Sequence, residues 1–130
     1  MLGVKRLDHF GMDVADLDRA QRFYTRVLGM TVKMRLPDQV LLSHGDGELA
    51  LFWKPDRQPG GLDQILNPLG KSHHAFEVSH EDLQSAILLF KEQGVPYHAP
   101  IDWGDHDCLY FLDPDGNLLE LVGYRRGHGA

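Results

Sequence analysis

The chain has 130 residues, of which 42% are hydrophobic and 25% charged, enough apolar material for one domain's core but too little length for two large domains. Its formal net charge of −6 argues against nucleic acid or an anionic membrane as the main partner and leaves small neutral or metal-chelating ligands. No run is apolar and long enough to span a bilayer, the first residues lack a signal peptide's core, and the one cysteine, Cys108, has no internal disulfide partner, so a cytoplasmic location is expected.

The first predicted element is a strand over 7–14, in which Phe10, Met12 and Val14 alternate onto one face and His9, Gly11 and Asp13 onto the other. Asp16 then caps a helix whose Leu17, Ala20, Phe23, Tyr24, Val27 and Leu28 follow the helical period and which Gly29 stops. Strands are predicted over 31–36 and 40–44, and Gly45-Asp46-Gly47 turns the second into a strand over 48–53. Residues 54–72, rich in Pro and Gly, read as a linker with one helical turn at 62–66, long enough to cross to another subunit. The order then recurs. A strand over 73–78 leads to a helix capped by Ser79, with Asp82 three residues on, and stopped by Gly94. Strands near 95–99 and at 108–112 follow, then the turn Pro114-Asp115-Gly116 and a last strand over 117–122.

This recurrence is visible residue by residue. Leu7-Asp8-His9-Phe10-Gly11-Met12-Asp13-Val14 returns as Lys71-Ser72-His73-His74-Ala75-Phe76-Glu77-Val78, which aligns His9 with His73, Gly11 with Ala75 and Val14 with Val78. The chain is therefore expected to be a single domain, 1–130, made of two β-α-β-β-β modules: module one 1–53, linker 54–72, module two 73–124.

The repeated histidines and Glu120 make a candidate His/His/carboxylate metal site. A three-residue loop at Pro114-Asp115-Gly116 pairs Asp113 with Asn117, Leu112 with Leu118 and Tyr110 with Glu120, so Tyr110 and Glu120 project from one face. A carboxylate flanked by Leu118 and Val122 needs a partner if that face is interior, and His9 and His73 lie on the small-residue faces of their strands. His74 shares the packing face with Phe76 and Val78 and reads as structural. His44, His80, His98, His106 and His128 fall in turns or loops and are expected to be exposed. Cys108 shares the Tyr110 face, as a small buried hydrophobe or a pocket-lining residue, and Trp53 and Trp103 read as core or pocket wall.

Together these segments, with Phe23-Tyr24-Thr25-Arg26-Val27-Leu28-Gly29 and the run Tyr110 to Glu120, resemble the vicinal oxygen chelate superfamily. Glyoxalase I, bleomycin and fosfomycin resistance proteins, extradiol dioxygenases and methylmalonyl-CoA epimerase belong to it. The resemblance covers nearly the whole chain and implies an α+β fold in which two βαβββ modules form a curved, partly open mixed barrel, paired in a dimer. Carried over by position, the superfamily's metal ligands fall on His9, His73 and Glu120. In its four-ligand form, the place equivalent to Glu120 in module one falls here on Ala50 or Leu51, neither of which binds metal. Glu48 is the nearby carboxylate that would serve as fourth ligand or general base.

Three protein ligands leave open positions for a substrate or oxygen, which favours the dioxygenase or fosfomycin-type subfamilies. Extradiol dioxygenases, however, carry an acid/base histidine where Ile101, Asp102 and Trp103 stand, and fosfomycin transferases carry a lysine at Pro100 and a hydroxyl at Gly11. Arg125 and Arg126, past the last strand, are the remaining source of positive charge for such a pocket.

The resemblance thus implies a divalent-metal-dependent enzyme acting on a small substrate that chelates the ion through neighbouring oxygens. Mn²⁺ or Fe²⁺ is favoured by imidazole and carboxylate donors, and Zn²⁺ or Ni²⁺ also suits them. Tyr110 would act in catalysis and, with Trp103 and Cys108, in substrate binding. A homodimer is expected. The other reading is a metal-free small-molecule or drug-binding protein of the bleomycin-resistance type, against which the intact ligand trio counts.

Overall fold

Alternation sets the first strand as the sequence predicts. In a computed structural model of the protein, described over residues 1–125, β1 (His9–Val14) buries Met12 and Val14 and leaves His9, Gly11 and Asp13 exposed. Arg126 and His128 lie outside the described residues. Asp16 caps α1 (Leu17–Arg22) by accepting a hydrogen bond from the Arg19 amide at 3.0 Å. The predicted single α-helix then changes character, because residues Phe23–Val27 form a π-helical turn. The Thr25 hydroxyl donates to the Gln21 carbonyl at 2.8 Å, competing for an acceptor of the ordinary helical ladder. The wider turn accompanies the burial of two adjacent rings, Phe23 and Tyr24, packed edge-on at 5.1 Å between centroids.

β2 (Thr31–Leu36), β3 (Gln39–His44) and β4 (Gly47–Trp53) complete a four-stranded sheet in the order β1-β4-β3-β2. The β1–β4 pair is parallel and the other pairs are antiparallel. Val14, Ala20, Tyr24, Val40, Leu42, Leu49 and Leu51 are its buried residues nearest full burial.

The second unit repeats this plan. After α2 (Asp63–Leu66), β5 (His74–Ser79), α3 (His80–Gln93), β6 (Ile101–Asp102), β7 (His106–Leu112) and β8 (Leu118–Tyr124) give a sheet in the order β5-β8-β7-β6. Here too the first pair, β5–β8, is parallel and the rest antiparallel. Ser79 caps α3 through the Asp82 amide, and Gly94 ends it in the left-handed conformation at φ 68°. Leu109, Phe111, Leu119 and Leu121 are buried on one face of the sheet, where Phe111 meets Phe90 of α3 at 4.8 Å. Cys108, Tyr110, Leu112, Leu118 and Glu120 are buried on the other. The fold is α+β, two open four-stranded mixed sheets with their helices.

Several expectations change. The strand predicted near 95–99 is reduced to a single bridge of Tyr97 with Phe111, and the strand proper is Ile101–Asp102. Pro96 and Pro100 lack amide hydrogens, so only the Pro96 carbonyl and the His98 amide bond to β7 before the ladder breaks. His73 lies one residue before β5 rather than in it. Contacts also gather into two compact units, one up to Gln58 and one from Pro59, each holding one of the two repeats. His44, His80, His98 and His106 are half-buried rather than exposed. Trp53 and Trp103 are 47% and 52% exposed and belong to no core, each indole instead donating a hydrogen bond, to the Ala15 carbonyl and the Cys108 sulfur respectively. Among the described residues, no helix is long and apolar enough to cross a membrane.

Candidate metal centre

The hairpin joining β7 to β8 determines what meets what. Asp113 accepts hydrogen bonds from the Asp115 and Asn117 amides at 2.9 and 2.8 Å and from the Asn117 side chain at 2.9 Å, closing the loop in which Gly116 takes φ 78°. This loop length places Tyr110 opposite Glu120. Both side chains emerge on the face where Cys108, Leu112 and Leu118 form an apolar cluster with Ile65 of α2, against which Ile101 packs. A carboxylate in that setting is costly unless neutralised.

His73 supplies the partner. Its Nε2 lies 3.1 Å from Oε1 of Glu120, with the two side chains only 26% and 11% exposed. Its Nδ1 lies 2.7 Å from the carbonyl oxygen of Lys71. A carbonyl only accepts, so Nδ1 must carry the hydrogen, and Nε2 is the atom turned to the carboxylate. An imidazole lone pair and a carboxylate oxygen are both acceptors, so a proton or a cation has to lie between them. A backbone carbonyl on the remote ring nitrogen is the arrangement that orients metal-ligating histidines. The pair therefore fits two of the donors of a divalent ion. The Tyr110 ring stands edge-on to the imidazole at 5.1 Å, completing the wall beside it.

Burial and the Glu120 charge also define the neighbouring acids. Burial, reinforced by Glu120, pushes the Tyr110 phenol up to about 12, so at neutral pH it is a hydrogen-bond donor. Burial likewise pushes the Cys108 thiol up to about 11, with Glu120 adding to the effect and the Trp103 hydrogen bond opposing it. At neutral pH Cys108 is therefore a protonated thiol. His74 is held below the usual imidazole range by its burial and then by the neighbouring His73, as suits a packing residue.

The first unit carries the other predicted histidine. His9 is exposed, and its Nδ1 lies 2.7 Å from Oδ2 of Asp8, a group that also only accepts. That hydrogen bond is the largest cause of the lowered Asp8 carboxyl. Here again the ring hydrogen sits on Nδ1, which leaves the lone pair on Nε2. Gly11 pairs with Ala50 as Ala75 pairs with Glu120, so Ala50, not Leu51, occupies the place of Glu120 in the first repeat. Glu48 is the register partner of His9 and forms an ion pair with Lys33.

Of the predicted ligands, the structure brings His73 and Glu120 together, with Tyr110 and Cys108 on the same face. Among the described residues no group of three or more His, Cys, Asp or Glu is placed to hold an ion. Sequence reading overlooked Asp8, Lys33, Ile65 and the Lys71 carbonyl. Asp8 had a signal in its adjacency to His9, whereas a carbonyl has no side-chain signature.

A model of the Glyoxalase/Bleomycin resistance protein/Dioxygenase superfamily matches residues 6–121. Biphenyl-2,3-diol 1,2-dioxygenase 3 of Rhodococcus globerulus is 32% identical over 120 residues, which cover 89% of this chain but only 62% of that protein. Glutathione transferase FosA of Serratia marcescens is 30% identical over 121 residues, covering 91% of this chain and 80% of the relative. Among solved structures, the fosfomycin resistance protein FosX of Listeria monocytogenes superposes with a TM-score of 0.77 over 95% of this chain and 97% of its own, at 18% identity.

Proposed function

Because the chain belongs to the Glyoxalase/Bleomycin resistance protein/Dioxygenase superfamily, we propose that it is a divalent-metal-dependent enzyme acting on a small substrate with neighbouring oxygens. The observation that carries this reading is the meeting of His73 Nε2 and Glu120 Oε1 at 3.1 Å, with the remote ring nitrogen already occupied. His73 and Glu120 are two ligands. His9, their counterpart by repeat, is the third, supplied by this chain or by a second copy. The residues thus act as one domain built from two modules, and open sheet edges favour a homodimer.

Within this reading each residue has a defined part. His73, with its Nδ1–H bound to a carbonyl, presents a single lone pair, and Glu120 supplies the compensating negative charge. Tyr110, neutral at physiological pH, donates a hydrogen bond to a substrate oxygen. Cys108, Leu112, Leu118 and Ile65 exclude water from the face beside it. Trp103, half-exposed at the edge of this face, is an aromatic wall for substrate, and Glu48, balanced by Lys33, is the candidate general base. A bound Mn²⁺ or Fe²⁺ would supply Lewis acidity toward a chelating substrate, and Zn²⁺ or Ni²⁺ would suit the same donors. The reaction is of the dioxygenase or fosfomycin-resistance type.

Metal analysis of protein purified without a tag or chelator tests this directly. About one equivalent of a transition ion per chain is expected, and less than about a tenth, with no uptake on reconstitution, would overturn the reading in favour of a metal-free binding protein.

A further inference from the structure

The segment between the repeats is fastened to the β7–β8 hairpin at several points. Near its start, the Gly60 amide donates to the Asp115 carbonyl at 2.8 Å, and Gln64 Nε2 donates to the Gly116 carbonyl at 2.7 Å. Contact at this point is so close that a Cβ on Gly60 would stand 2.4 Å from the Gly116 oxygen. Ile65 then enters the cluster of Cys108, Tyr110, Leu112 and Leu118. At the segment's far end, Lys71 Nζ donates to the Asp63 carbonyl at 3.1 Å, closing the segment back on α2. Between these anchors, Pro68-Leu69-Gly70-Lys71 forms a β-turn, with the Lys71 amide 3.3 Å from the Pro68 carbonyl and Gly70 at φ 83°. A positive φ at the third position is the mark of a type II turn, which glycine accepts without strain. The residue leaving that turn is Lys71, whose carbonyl receives Nδ1–H of His73.

We propose that Gly70 and Gln64 are positioning residues for His73: Gln64 ties the segment to the hairpin that carries Glu120, and the Gly70 turn aims the Lys71 carbonyl so that Nε2 faces the carboxylate. Neither residue touches the ion or the substrate. The segment reaches the same hairpin twice, at its tip through Gln64 and at Glu120 through His73, so the ligand pair is held by one closed loop of contacts. Apart from its own chain neighbours, no atom lies within 4 Å of a Cβ built on Gly70, so a side chain there acts through backbone strain and not through collision. This separates the geometry of the turn from packing.

The proposal rests on the metal reading above, and the test distinguishes the two. In metal-free protein, the ring spectrum of His73 should show a slowly exchanging Nδ1 hydrogen, and Co²⁺ titration measures ion affinity separately. Gly70→Ala should lose the protected hydrogen and weaken Co²⁺ binding about tenfold, the usual size of an outer-shell effect. Gly70→Asn, which tolerates positive φ, should keep both. Gly70→Ala with the protected hydrogen and Co²⁺ affinity of the wild type overturns the proposal, as does equal loss in Gly70→Asn. Should Gly70→Ala fail to fold by circular dichroism, Gln64→Leu leaves the turn's backbone untouched and is read by the same two measurements. A wild type that takes up no Co²⁺ overturns the metal reading, while the ring hydrogen still decides the positioning claim.

Discussion

Ala75 is the register partner of Glu120 across the parallel pair β5–β8. The carboxylate therefore has a methyl group beside it on the first strand, and its charge is met from two residues earlier in the chain, by His73. A larger side chain at position 75 would occupy the space beside Glu120 that the proposed ion would need.

The adjacent histidines should separate cleanly by variant. His73→Ala removes the nitrogen proposed as a ligand and is expected to abolish metal uptake while leaving the fold intact by circular dichroism. His74→Ala is expected to keep the metal and to cost about 1 kcal/mol of stability in a urea melt, since its ring lies on the packing face. Metal loss in the second variant and not the first would contradict the geometry.

The thiol should be silent. With its ionisation pushed up to about 11 and no exposed surface, native Cys108 should react with a disulfide reagent at pH 8 at less than about a hundredth of the rate seen after unfolding. Rapid native modification would mean that the Tyr110 face is open.

Acid should act through Asp107. Burial alone would raise this carboxyl, but hydrogen bonds from His80 at 2.7 Å and Arg125 at 2.5 Å outweigh it and hold the group below its ordinary value. A lowered folded value means the contribution is complete above the unfolded carboxylate range and is lost as pH falls through the folded one. Wild type should therefore exceed Asp107→Asn in urea midpoint at pH 7, and the gap should close as pH falls below about 4. A gap independent of pH would assign the effect to packing.

Gly116→Ala should be among the costliest small substitutions. Its φ of 78° strains any side chain, and a Cβ there would lie 2.4 Å from the Gly60 amide nitrogen. A loss of about 1–3 kcal/mol from backbone strain alone is expected in thermal or urea unfolding, with the collision adding to it. An unchanged midpoint would show that the segment does not dock on the hairpin.

The elements that could be read from the sequence were those whose cause is local. The pairing of Tyr110 with Glu120 follows from the length of the loop at Pro114-Asp115-Gly116, the caps at Asp16 and Ser79 follow from their side chains, and the stop at Gly94 follows from the lack of one, which admits the left-handed conformation. The π-helical turn at Phe23–Val27 was not legible, because the same apolar spacing suits an α-helix. The strand expected near 95–99 shrinks to one bridge at Tyr97 for a related reason: Pro96 and Pro100 decide which amides exist, and apolar content does not report that. In the candidate site, side-chain ligands could be nominated from the repeat, but the Lys71 carbonyl could not.

That last asymmetry bears on how the two halves can evolve. Both repeats carry a histidine with its Nδ1 hydrogen engaged, yet the acceptor is the Asp8 carboxylate in one repeat and a peptide carbonyl in the other. A single codon change can replace the first acceptor with a neutral amide or remove it, altering the electron donation of His9 in small steps. No codon change can delete the second. Its alignment changes only when the backbone is rerouted, as a substitution at Gly70 is expected to do, so one histidine is tuned by a neighbouring side chain and the other by the path of the chain.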